Sequence, residues 1–176
     1  MTRIKGRMAM MLASILLAAS FAFATTPQSK SMEKVRKELV TLPYYGVYDN
    51  LEYKVEGGTV TLYGQVLNPV TRTDAARRIA KLEGVDRVIN NIQLLPVSGF
   101  DDSIRAREYR AIFRSGSLYR YAMGANPSIH IIVSNGKVTL EGVVSNRMDS
   151  QLAYMAANGV PGVFSVTNNL RVESSS

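Results

Sequence analysis

The stretch Thr59–Asn68 reads TVTLYGQVLN, and Lys137–Asn146 reads KVTLEGVVSN, 78 positions later in a chain of 176 residues. The offset holds without a gap on both sides: Val55 pairs with Val133, Gly58 with Gly136, Ala75 with Ala153, Gly84-Val85 with Gly162-Val163, Val88 with Val166, and Asn90-Asn91 with Asn168-Asn169. A duplication of this kind fixes the number and size of the folding units before any motif is read. Each unit has about 65 to 75 residues, close to the lower limit at which one hydrophobic core supports a domain without covalent or metal staples.

Within a unit, Leu51, Tyr53 and Val55 alternate with Glu52, Lys54 and Glu56, and Ile129, Ile131 and Val133 recur at the matching positions, which predicts a half-buried strand. Gly57-Gly58 and Asn135-Gly136 are two-residue hairpin turns that need positive φ. They lead into a second strand through Val60, Leu62 and Val66, or Val138, Leu140 and Val144. Gly64 and Gly142 interrupt that strand where a bulge or a close backbone approach excludes a side chain. Asn68-Pro69 then opens a helix with a capping side chain and a first-turn proline. Its apolar stripe is Ala75, Ile79 and Leu82, repeated as Ala153, Ala157 and Val160, and Gly84 and Gly162 are expected to end the helices as left-handed caps.

A third strand follows, Val88-Asn90-Ile92-Leu94 or Val166-Asn168-Leu170-Val172, and each unit is preceded by a helix, Ser31 to Thr41 and about Ser103 to Arg114. The expected fold is α+β: two small αββαβ domains, each a three-stranded sheet packed with two helices, after a cleaved signal peptide. The boundaries are 1–24 for the signal, 25–95 for the first domain, 96–102 for a linker holding Pro96, Ser98 and Gly99, and 103–173 for the second domain.

The signal rests on Arg3, Lys5 and Arg7 before the apolar run Met8 to Phe21, and on the A-x-A site Ala22-Phe23-Ala24. The apolar run is shorter than the roughly 20 residues a bilayer-spanning helix needs. Cleavage lowers the formal charge from +7 to +4, so basicity matters through its distribution. Arg105, Arg107, Arg110, Arg114 and Arg120 share one short window opposed by Glu108. The chain has no cysteine, which excludes disulfides, thiolate metal sites and an acylated cysteine.

These residues resemble tandem BON domains, the bacterial OsmY and nodulation module. The resemblance lies in V-x-L-x-G-x-V followed by an alanine-containing helix and G-V-x-x-V-x-N. Here it is written as Val60-Leu62-Gly64-Val66 with Gly84-Val85-Val88-Asn90, and as Val138-Leu140-Gly142-Val144 with Gly162-Val163-Val166-Asn168. It covers nearly all of the mature chain. The resemblance implies a periplasmic, non-enzymatic module that contacts anionic phospholipid and serves envelope integrity or osmotic stress. The segments Pro43 to Tyr48 and Leu118 to Gly124 are longer and more aromatic than the family pattern.

The inventory for catalysis is sparse. His130 is the single histidine, and its strand position matches Glu52, which reads as an outward residue rather than a ligand or general base. No phosphate-cradling glycine motif occurs, and neither cofactor nor metal is expected. The repeated Asn90-Asn91 and Asn168-Asn169 read as turn-fixing amides. Nucleic acid is not an expected partner, given the export signal and the absence of a GXXG loop.

The stretch Ile104 to Tyr121 carries the binding expectation. Ile104, Tyr109, Ile112 and Phe113 form an apolar stripe, while Arg107, Arg110 and Arg114 recur three to four residues apart beside it. With Tyr119, Arg120 and Tyr121 they are the expected lipid-binding residues on a peripheral, anionic membrane surface. The same pattern also suits an amphipathic helix packed on its sheet with a solvated cationic face. The alternative function is a protein-interaction or scaffolding module of the envelope, with Ile132 as an outward apolar contact.

Overall fold

The computed structural model describes residues 27–114, 116–124 and 126–173. The expected signal peptide lies outside the described residues. In chain order the elements are α1 (Pro27–Val40), β1 (Asn50–Glu56), β2 (Thr59–Val66), α2 (Pro69–Ile79), β3 (Arg87–Asn90) and β4 (Gln93–Leu94). The second unit has α3 (Gly99–Phe113), a 3-10 turn (Leu118–Ala122), β5 (Ile129–Ser134), β6 (Lys137–Val144), α4 (Arg147–Asn158), β7 (Ser165–Asn168) and β8 (Arg171–Val172). The αββαβ order is present twice.

In each unit the middle strand pairs antiparallel with the first and parallel with the third: β1-β2-β3 and β5-β6-β7. The third strand is broken into two short pieces, with β4 also on β2 and β8 on β6. An asparagine makes the break. Asn90 accepts from the Ile92 amide at 3.2 Å and donates to the Arg72 carbonyl at 3.0 Å. Asn168 repeats this with the Leu170 amide and the Ser150 carbonyl, both at 3.2 Å. The amide side chains thus tie the kink in the strand to the first turns of the preceding helix in the same unit, α2 or α4, a backbone role of the kind short polar side chains fill.

Gly64 and Gly142 have φ of +107° and +118°, and a Cβ on either would collide with the carbonyl oxygen of Asn50 at the start of β1 or of Ser128 just before β5. A side chain is excluded there by space as well as by φ. Gly84 and Gly162 are left-handed, at +83° and +90°, but they do not cap the helices as expected. α2 closes at Ala80 and α4 at Gly159, and the glycines sit in the turn that follows, with Leu82 and Val160 turning back onto the core.

Each unit has its own core. Leu62, Val60, Ala75 and Ile79 anchor the first, with Val35 and Leu39 of α1; Leu140, Val138, Ala153 and Ala157 anchor the second, with Ile104 and Ile112 of α3. A fully buried leucine or isoleucine stabilises by roughly 2–3 kcal/mol, so these matched residues are the main support of units this small.

Two expectations for β5 are corrected. Ile132 was read as outward and is only 5% exposed, and His130, also read as outward, is buried. For His130 the cause is the first unit. His130 stacks on the ring of Tyr45 with centroids 5.5 Å apart, and its Nδ1 lies 3.2 Å from the Gly46 carbonyl. β5 is therefore covered on both faces, and the alternation seen in β1 does not apply to it.

Candidate functional site

The segment joining α1 to β1, Pro43 to Asp49, docks the two units. Tyr44 adopts φ +63°, a conformation an L side chain rarely holds. The buried Asp49 carboxylate fixes the loop by accepting from Gly46 N at 2.9 Å and Leu67 N at 2.7 Å, while burial raises its pKa. Held in this shape, Val47 presents its carbonyl to Ile131 N at 2.7 Å on the open edge of β5. Tyr48 donates to the Arg105 carbonyl at 3.3 Å, and Asn126 donates to the carbonyl of Val40 at the end of α1, at 2.7 Å. The aromatic lengthening of this segment is an edge-strand cover of the kind sheets require.

α3 has a buried face richer in charge than its sequence suggested. Ser98 caps the helix by accepting from Asp101 N at 3.2 Å, so α3 starts at Gly99, before the expected Ser103. Asp101 is buried and accepts from the Asn135 and Gly136 amides at 2.9 and 2.8 Å, holding the β5–β6 turn. Arg105 donates to the Val133 carbonyl at 2.6 Å and pairs with Asp102 at 2.6 Å, covering the same β5 edge further along. The S-x-x-D spacing of Ser98 and Asp101 was a readable signal for this helix start.

Glu108 lies between Ile104 and Ile112 on that face. It is 0% exposed and neither carboxylate oxygen has a hydrogen-bond partner. Burial pushes its pKa up to about 8, so it is held as the neutral acid at neutral pH.

The expected lipid-binding residues divide into two groups. Tyr121 is 6% exposed; its hydroxyl donates to Asp149 Oδ2 at 2.6 Å and accepts from Ser145 N at 2.9 Å. Arg120 bonds the same Asp149 oxygen and lies over the Tyr121 ring at 4.9 Å. Asp149 and Asn146 cap α4 reciprocally, and the Tyr121 hydrogen bond, then Arg120, hold the Asp149 carboxyl below its usual range. Tyr121 and Arg120 thus serve the start of α4, with Tyr121 buried and its hydroxyl engaged there.

Arg110, Arg114 and Tyr119 are exposed, and Arg107 is half-buried. At about 100° per residue, Arg107, Arg110 and Arg114 fall within roughly 60° of one another, about 100° to 160° around α3 from Glu108. Among the described residues none of the three is ion-paired. Arg110 donates to its own helix at Ala106, 3.0 Å away, and the Arg107 Nε is without a partner. Tyr109 was expected in the apolar stripe but lies at its rim, edge-on to Phe113 at 4.9 Å.

Between the units a cleft of about 730 Å³ is lined by Arg36, Glu52 and Tyr53 on one side and Glu141, Val143 and Arg171 on the other. Burial raises the Glu141 pKa, and Asn169 donates to it at 2.7 Å. Charges of both signs line this cleft, and His130 at its floor is committed to Gly46 and Tyr45. Among the described residues no group of three or more metal-ligating side chains gathers, and no helix is long and apolar enough to cross a membrane.

Fold and surface define a pair of small α+β binding modules docked edge to loop. The BON domain profile matches twice, over residues 32–96 and 101–174, and the chain belongs to the BON domain family. Members of this family are non-catalytic binding modules, of membranes or of proteins, typically in the cell envelope. No curated protein matches the sequence. Two solved structures of CdsD, a structural protein of the type III secretion system of Chlamydia trachomatis, align with it at 12% identity. One covers 83% of this chain and 93% of that one with a TM-score of 0.31; the other, a C-terminal domain, covers 81% and 97% with 0.28. Both superpositions are loose.

Proposed function

We propose that the protein is a periplasmic module that binds anionic phospholipid peripherally through the outer face of α3, in the service of envelope integrity or the response to osmotic stress. The observation that carries this reading is that Arg107, Arg110 and Arg114 share one face and have no carboxylate partner among the described residues. Each arginine near an anionic surface contributes about 1 kcal/mol, and several acting together produce useful affinity without a deep pocket. Tyr119, exposed beyond the end of the helix, suits the headgroup region. Arg120 and Tyr121 support the reading only indirectly, by fixing the turn that carries Tyr119.

The test is co-sedimentation of the mature chain with phosphatidylglycerol-containing vesicles and with purely zwitterionic ones. Binding to the first alone, weakening with salt, is expected. Equal recovery with both, or with neither, contradicts the reading.

A further inference from the structure

The duplication supplies an internal control for the surface. Across 69–91 the first unit carries Arg72, Asp74, Arg77, Arg78, Lys81, Glu83, Asp86 and Arg87, whereas the matched stretch 147–169 carries only Arg147 and Asp149. Asp74, Arg77 and Asp86 become Leu152, Met155 and Phe164. Leu152 packs against the core of its own unit, but Met155 and Phe164 are 63% and 73% exposed, so packing does not demand apolar residues at those two places. Arg77 and Asp86 stand at the matching places in the first unit, so charge is tolerated there in one copy and absent in the other.

The Phe164 site shows what the change creates. Asp86 and Phe164 occupy equivalent positions, each donating its amide to the hairpin glycine, Gly58 or Gly136, at 2.7 and 2.8 Å. Phe164 is nevertheless 73% exposed. Its ring lies 6.0 Å from that of Phe100, itself 49% exposed at the start of α3. A Cβ placed on Gly162 would lie 3.4 Å from Arg107 Nη2 and 3.6 Å from the Phe100 ring, so both side chains lie over that turn. On the helix, Phe100 falls within about 80° of the three arginines, extending their stripe to the N-terminal end of α3. Two open aromatic rings at the end of a cationic stripe match an anionic bilayer, with charge for the headgroups and apolar area for the acyl boundary.

We infer that Phe164 and Phe100 form the insertion point of this protein, entering the acyl boundary of an anionic membrane while Arg107, Arg110 and Arg114 hold the headgroups. This rests on the lipid-binding reading above and adds to it the element that leaves water. Arginines alone give an adsorption that salt reverses, whereas a buried ring gives a salt-resistant part.

The chain contains no tryptophan, so Phe164→Trp places a single reporter at the site. With phosphatidylglycerol vesicles its emission should shift to the blue and be quenched by acyl-brominated lipid. A second variant, Phe164→Asp, restores the residue that the first unit already accommodates, and should lower the salt-resistant partition by at least about tenfold. Vesicle binding with unshifted, unquenched emission overturns the insertion while leaving the arginine reading intact; it is also the result expected if the rings serve a protein partner. Failure of the unaltered chain to sediment with anionic vesicles overturns both.

Discussion

The amide of Ile131 donates to the carbonyl of Val47 at 2.7 Å, across the boundary between the two units. One hydrogen bond of this kind is worth about 1 kcal/mol. It closes the open edge of β5 together with Arg105, which takes the Val133 carbonyl on the same edge. The first unit thus completes the sheet of the second.

Val47→Asp places a carboxylate against the second unit's core, where Val47 is half-buried. A loss of about 2 kcal/mol is expected. Calorimetry should show one unfolding transition for the parent chain and two for the variant, as the units uncouple. A single shifted transition would mean that the coupling does not run through this loop.

Glu108 gives stability a definite pH dependence. Its folded pKa is raised from 4.5 to about 8, so the folded state holds a proton that the unfolded chain releases. Stability from this group is fully present below about pH 4.5 and falls by up to about 1.4 kcal/mol per pH unit toward pH 8. Burial lowers the His130 pKa, which acts in the opposite sense: that contribution is present above the unfolded value of 6.5 and is lost as pH falls. Glu108→Gln isolates the first effect. Urea melts across this range should show the variant gaining on the parent as pH rises; parallel curves would place a partner on the carboxylate.

Tyr121→Phe removes the donor to Asp149 and the acceptor of Ser145 N, both at buried or half-buried positions. It should cost about 1–3 kcal/mol in denaturant melts. Anionic vesicle binding at temperatures where the variant is folded should be unchanged. A selective loss of binding with stability intact would return Tyr121 to the lipid site.

Gly142→Ala forces a Cβ into the Ser128 carbonyl at φ +118°. About 3 kcal/mol of destabilisation is expected, visible as a lowered Tm, with Gly64→Ala equivalent in the first unit. A neutral outcome would mean that the strand shifts to make room.

The duplicated strands, their turns and the closely approached glycines were legible because backbone geometry demands those residues wherever the module occurs. Gly64, Gly142 and the two asparagines of the strand kinks depend on contacts inside their own unit. What was not legible depends on contacts between units or on which way a side chain turns within the second unit. Ile132 and His130 were expected to follow the alternation of an open strand, but both are buried, and Tyr45 and Gly46, 85 and 84 residues before His130 in sequence, cover that histidine. In sequence, Arg105 shares one basic window with Arg107 and Arg110, opposed by Glu108. The helical turn separates them, sending Arg105 and Glu108 inward, leaving Arg107 half-buried and turning Arg110 to solvent. The six expected lipid residues mixed a surface set with a capping set, because Arg120 and Tyr121 differ from Tyr119 only in facing Asp149.

The most direct measurement is the affinity of the mature chain for phosphatidylglycerol vesicles before and after the joint substitution Arg107→Glu, Arg110→Glu and Arg114→Glu, with folding checked by circular dichroism. With three contacts of about 1 kcal/mol each removed and reversed, binding should fall by two orders of magnitude or more, on the order of 100-fold. A folded variant that binds anionic vesicles as tightly as the parent would contradict the account.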